Sequence, residues 1–355
     1  MKKFNEIIKN IEPLDKEIME IATARLDSLV KPIGSLGRLE DLAIQISGIT
    51  GKLYNKFTKS CTVIMSADNG IWEEGFSAVP QFITSIQTVN FTKGGCGINV
   101  LSRLANMDTK IIDIGVNGDL SHPKIENRKI RKGTWNMSKG PAMTRDEAIE
   151  AIEIGIDVVQ KLALQGYQIF GTGEMGICNT STSSTILMAF TGCSVHVAVG
   201  KGTGLTEKAF ISKKAALQRA IEINKPNKED AIDVLSKVGG FDIAGLTGCY
   251  LGAAYLKIPI IIDGFISAAA ALTAIKINPL TKEYMIPSHS SAEPGYTLLM
   301  KEIGLEPILN LNMRLGEGTG CPLVLNIVEA ATKIIQEMAT LEESMIPDDF
   351  LIDIR

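Results

Sequence analysis

Histidine and tryptophan are scarce, with three and two residues respectively in a chain of 355. The six cysteines, Cys61, Cys96, Cys178, Cys193, Cys249 and Cys321, are scattered, with no C-x-x-C among them. That pattern speaks against a zinc site and reads as reduced, mostly buried thiols of a cytoplasmic protein. Aromatic residues make up only 5%, which argues against a surface that stacks bases. No excess of one charge is present: 36 Lys and Arg stand against 40 Asp and Glu, for a net charge of −4. Without a local basic patch, no nucleic-acid partner is expected, and an anionic ligand must be held locally. Long hydrophobic runs are missing too. The longest, around Phe265 to Ile275, is too short for a bilayer and contains Ser267 and Thr273. Residues 1–16 mix acids with lysines and lack an apolar signal core. The expectation is a soluble, cytosolic protein with no membrane partner.

What is present is aliphatic content and glycine: 45% hydrophobic residues and 33 glycines, slightly above the usual share of about 7%. The aliphatic content excludes disorder, and the length supports a large core. Ile18, Ile21, Ala22, Leu26 and Leu29 recur at helical spacing. The breaker Lys31-Pro32-Ile33-Gly34-Ser35 follows, then a second helical pattern from Leu36 to Ile49. Short apolar runs alternating with longer helical segments predict strands at 62–65, 110–114, 168–170, 195–199, 258–262 and 284–286. Their continuous rather than alternating apolar character marks strands buried on both faces. The predicted fold is therefore α/β, with a mostly parallel sheet of roughly six strands covered by helices on both faces. Residues 1–50 and 335–355 are expected to form a small helical domain beside a large α/β domain at 51–334.

Ligands of open parallel sheets sit beyond the carboxyl ends of the strands. The segments following the predicted strands are rich in acids and glycines: Ser66-Ala67-Asp68-Asn69-Gly70, Gly171 to Gly176, Gly200 to Gly204, Asp263-Gly264 and Pro287 to Glu293. Gly171-Thr172-Gly173-Glu174-Met175-Gly176 matches G-x-G-x-x-G and invites a dinucleotide-dependent oxidoreductase reading. The ribose-gripping acid about 20 residues on is missing, since no Asp or Glu occurs between Ile177 and Thr206. The Gly200 loop lacks phosphate-loop spacing. The sharpest local feature is Arg314-Leu315-Gly316-Glu317-Gly318-Thr319-Gly320-Cys321-Pro322, leading into a helix from Leu323 to Met338. Such a turn either brings backbone amides and an acid to a ligand or is a plain turn with an exposed acid.

Several motifs in order carry a family resemblance. Glu174-Met175-Gly176 with Asn179-Thr180-Ser181, Ile223 to Asn227, Ile232 to Asp242, Asp263-Gly264-Phe265, Ser288-His289 with Ser291-Ala292-Glu293, and Gly316-Glu317-Gly318 together resemble the nicotinate-nucleotide:dimethylbenzimidazole phosphoribosyltransferases. The similarity runs from about Lys31 to the C-terminal helix. It implies transfer of the 5-phosphoribosyl group of nicotinate mononucleotide to a benzimidazole-type base, with inversion, in assembling the lower ligand of cobalamin. It further implies a homodimer that needs no cofactor or metal. Carried over by motif, Glu317 is the base, and Glu174 and Asp263 orient the ribose or stabilise an oxocarbenium-like transition state. The resemblance places Val79, Pro80, Gln87, Met175 and Leu315 around the acceptor, and Gly176, Lys213, Ser291 and Gly318 around the phosphate. Asp68 and Asp242 are weaker candidates, and His289 reads as structural. Many relatives carry histidine where Asn69 and Tyr296 stand, which leaves benzimidazoles, adenine or phenols open as acceptors. A non-catalytic nucleotide-binding subunit on the same scaffold is a further alternative.

Overall fold

Apolar side chains at every position of a strand need cover above and below, and the sheet provides it. The structure, a computed structural model, describes residues 2–202, 204–347 and 351–355. Six strands, β1 (Ser60–Ala67), β2 (Asp108–Gly115), β3 (Ile125–Asn127), β4 (Ile169–Met175), β5 (Ile260–Ile262) and β6 (Met285–Pro287), form one parallel sheet in the order β3-β2-β1-β4-β5-β6. All eight residues of β1 are buried. Successive side chains go to opposite faces. Val63, Met65, Phe170, Ile260, Ile262 and Met285 join a core with helices Arg145–Leu164, Phe241–Tyr255 and Phe265–Ile277. Their neighbours Ile169, Ile261 and Ile286 join a second core with helix Gly320–Glu337 and the N-terminal helices. Ile64 and Ile111 pack against Phe91 and Ile98, from helices Ile83–Lys93 and Gly97–Leu104.

The strand count matches expectation, but one strand differs. Val195 to Val199, expected as a strand, forms the short helix Val195–Ala198. Val195 and Ala198 are buried while His196 and Val197 are exposed, a one-sided spacing that suits a helix. Ser184 donates to the Ala198 carbonyl at 2.8 Å, tying the turn to helix Asn179–Thr191. The sixth strand is instead β3, a three-residue edge strand too short to show periodicity. β4 also runs on to Met175, so most of the glycine-rich segment lies within the sheet instead of in a loop after it.

Helix Lys16–Asp27 packs on Arg38–Thr50, and both meet Gly320–Glu337. The terminal segments also meet through backbone bridges, Leu29 with Thr340 and Ile33 with Asp353. Ala22, Leu26, Leu42 and Ile46 are sealed against Ile169, Ile261 and Ile286 of the sheet. Lys31 and Glu40 form a buried ion pair at 2.9 Å beside the Pro32 breaker. Among the described residues, no helix is long and apolar enough to cross a membrane.

Candidate active site

In this strand order the chain runs outward in opposite directions from β1 and β4, which opens a crevice at their carboxyl ends. A cleft of about 680 Å³ lies there, lined by residues that follow β4, β5 and β6 and by the Arg314–Glu317 segment. The catalytic candidates Glu174, Asp263 and Glu317 all line it.

Glu317 sits in a turn of three successive left-handed residues, with φ +85° at Gly316, +63° at Glu317 and +91° at Gly318. Glycine suits the flanking positions because it adopts positive φ without penalty. Close packing requires glycine on the strand side too. A side chain on Gly173 would strike the Glu317 carbonyl, and one on Gly171 would fall 2.6 Å from Cys321 Cβ. The β4 glycines therefore let the turn and the helix Gly320–Glu337 lie against the sheet. They do not form a pyrophosphate loop, which corrects the dinucleotide reading.

Glu317 is 8% exposed, and its carboxylate is held at both oxygens. Oε1 accepts from Gln87 Nε2 at 2.7 Å, and Oε2 accepts from the Ile98 backbone N–H at 3.2 Å. Ile98 lies in the first turn of helix Gly97–Leu104, where the helix dipole favours an anion. Apolar walls face it: Val79, Ile83, Met175 and Leu315. Pocket-forming Gln87 also reaches Cys96 Sγ at 3.4 Å.

Below this pocket lies a nest of buried acids. Asp263, just past β5, accepts from the Gly320 N–H at 2.6 Å and the Gly318 N–H at 3.0 Å, yet burial pushes its carboxyl up to about 7. Glu174, next to the end of β4, accepts from Asn179 Nδ2 and, at 3.4 Å, from the Glu317 N–H. Burial first, then the charge of Asp242, pushes it up to about 8. Asp242 is likewise raised by burial to about 6. His289 shares a 3.0 Å hydrogen bond with Ser288 and is held down to about 4 by burial, so it is neutral, in keeping with a structural part. Such a nest suits a ligand that carries or develops positive charge.

At the other end, Lys213 is 2% exposed and donates to Thr180 Oγ1 at 3.2 Å and the Gly200 carbonyl at 3.1 Å. It lines a small cavity of about 80 Å³ that adjoins the cleft through Val79, Gly176 and Thr180. Gly176 and Ser291 line the main cleft. Two expected residues stand apart. Pro80 is exposed and outside the cleft lining. Gly318 gives its N–H to Asp263, so it braces the acid instead of presenting a free amide to phosphate. Asp68 is buried and accepts from the Asn117 N–H at 2.7 Å, away from the lining. Sequence reasoning missed the parts played by Asn179, Ile83 and the Ile98 amide. Asn179 did stand in a quoted motif, but only its contacts reveal what it does. Among the described residues, no cluster of three or more His, Cys, Asp or Glu has the arrangement of a metal site.

Comparison with known proteins identifies the family. A family model described as phosphoribosyltransferase matches residues 11–346. The chain is 52% identical to the nicotinate-nucleotide–dimethylbenzimidazole phosphoribosyltransferase of Clostridium tetani, covering all of this chain and 98% of that one. It is 55% identical to the Clostridium acetobutylicum protein of the same name, over 96% and 97% of the two chains. The crystal structure of the Thermus thermophilus protein of that name superposes with a TM-score of 0.89 at 33% identity, covering 94% of this chain and 99% of that one.

Proposed function

The chain belongs to the nicotinate-nucleotide–dimethylbenzimidazole phosphoribosyltransferase family, and from that premise we propose how its cleft performs the transfer. The enzyme moves the 5-phosphoribosyl group of nicotinate mononucleotide to 5,6-dimethylbenzimidazole, giving α-ribazole 5′-phosphate and nicotinate for cobalamin nucleotide-loop assembly. The leaving nitrogen is a pyridinium that becomes neutral as the glycosidic bond breaks, so its departure asks for no general acid. Positive charge passes to the anomeric carbon and ring oxygen, where the carboxylates of Glu174 and Asp263 stabilise it. The acceptor nitrogen attacks from the opposite face, which inverts the β linkage to α. As that nitrogen becomes cationic the second ring N–H turns acidic, and Glu317 takes its proton. Lys213, Ser291 and the Gly176 turn hold the phosphate.

The observation that carries this reading is the Glu317 carboxylate, buried among apolar walls and fixed at both oxygens by Gln87 and Ile98. Those two donors fix the carboxylate in place, and their geometry leaves the acid aimed at the space an aromatic bicycle would fill. Glu317→Gln is expected to cut benzimidazole-dependent nicotinate release by about 10²- to 10⁴-fold while nicotinate mononucleotide still binds. An unchanged rate would remove Glu317 from the role of base.

We also propose a cytoplasmic homodimer in which residues 1–50 with 335–355 act as a helical subdomain of the 51–334 body. Exposed apolar side chains on elements around the cleft support the association: Phe82, Ile86, Val100, Leu104 and Leu315. Sedimentation equilibrium should return twice the 38.3 kDa chain mass, and a monomer at micromolar concentration would refute it.

A further inference from the structure

Helix Asn179–Thr191 starts four residues after the end of β4, and its first side chain turns back toward the end of that strand. Asn179 is 6% exposed. Its Nδ2 donates to Glu174 Oε2 and, at 3.2 Å, to Asp242 Oδ2. A carboxamide nitrogen has two N–H bonds, so one side chain serves both acids. Asp242 is fully buried in the first turn of helix Phe241–Tyr255, where the helix dipole favours an anion. It also decides which way the carboxamide faces, because a flipped Asn179 would set its carbonyl oxygen against two carboxylates.

We propose that Asn179, oriented by Asp242, is a positioning residue that holds Glu174 as an aimed carboxylate beside the reacting anomeric carbon. The proposal rests on the reading of Glu174 as a stabiliser of the developing positive charge. The charged groups facing Glu174 are acids: Asp242 from its helix, Asp263 after β5 and Glu317 from the glycine turn. Among the described residues Glu174 makes no ion pair, so the Asn179 N–H is the principal donor opposing that crowd. The Glu317 N–H at 3.4 Å is the weaker, second one. Since the same Glu174 carboxylate touches the Glu317 backbone, the hold on one acid also helps to seat the turn that carries the other.

The test is the pH dependence of kcat for nicotinate release, with nicotinate mononucleotide and dimethylbenzimidazole both saturating. Asn179→Ala removes a donor to the ionised acid and should move the acidic limb upward by about one pH unit. Asp242→Asn keeps an oxygen to orient Asn179 but removes a like charge, and should move the limb downward. KM for nicotinate mononucleotide should stay within about twofold in both, because binding is held mainly at the phosphate end. Asn179→Ser, which keeps a short hydroxyl, replaces the alanine variant if that one does not fold. Opposite displacements support the proposal, whereas a structural defect would lower kcat equally at every pH. Limbs that stay in place or move the same way overturn it. Glu174→Gln should leave only the lower limb of the other acids, Asp263 and Glu317, and a limb that stays at its original pH there refutes the role of Glu174 itself and takes this proposal with it.

Discussion

Glu317 holds a left-handed backbone that costs a residue with a side chain about 1–2 kcal/mol. The turn keeps it there because Gly316 and Gly318 share that conformation and the carbonyl between them lies against Gly173. The gain is reach: the carboxylate meets Gln87 on one helix and Ile98 on another. Glu317→Asp tests that reach alone, since the acid remains but sits one methylene short. Its turnover is expected between those of the natural enzyme and Glu317→Gln, and equality with the natural enzyme would show that the spacing is not needed. The three acids were legible in the sequence because they stand in glycine-flanked motifs with a family likeness. Ile98 was not, since its part is a backbone amide 219 residues away from Glu317 along the chain. The family resemblance placed Gly318 at the phosphate, but a motif does not say which acceptor claims an amide, and here its N–H goes to Asp263.

At the scale of the element, β4 and the glycine turn are fitted surfaces, and Gly173 is the contact between them. A methyl group there meets backbone, which cannot swing aside as a flexible side chain does. Gly173→Ala should therefore displace the Glu317 turn and lower kcat by at least tenfold, with a loss of about 1–3 kcal/mol in chemical denaturation. Activity within twofold of the natural enzyme would show that the strand and turn tolerate separation. The same segment explains one misreading, because G-x-G-x-x-G describes glycine spacing without saying what comes close. Strands with long apolar runs, β1 and β2, were plain from composition, whereas β3 has three residues and no room for a pattern. Val195 to Val199 has strand-forming residues, but burial on one side only makes it a helical turn, a choice set by its neighbours.

For the molecule as a whole, the buried acids make ligand-free stability depend on pH. Asp242, Asp263 and Glu174 are raised to about 6, 7 and 8, above ordinary carboxyl values near 4. A raised acid favours the folded state fully below its unfolded pKa, and that contribution is lost as pH rises through its folded value. His289, lowered to about 4, works the opposite way, but only below its ordinary value of about 6.5. Between about pH 6.5 and 8.5 the acids are left to act, and scanning calorimetry should show the melting temperature falling by a few degrees. A rise across that window would mean the acids are ionised and stabilised without substrate. Bound nicotinate mononucleotide should flatten the fall, because its pyridinium charge favours the ionised acids. The broad architecture was legible in advance because sheet burial follows from aliphatic runs. The sealing of the terminal helices against Ile169, Ile261 and Ile286 was not, since it joins residues from opposite ends of the chain. β1 and β4, whose ends frame the cleft, are neighbours in the sheet although about a hundred residues of chain lie between them, as Ser60 aligned with Ile169 shows. Nascent or refolding molecules must close that long excursion before any catalytic pocket exists, so competence arrives late and all at once, and partially assembled species have no means of acting on the nucleotide prematurely.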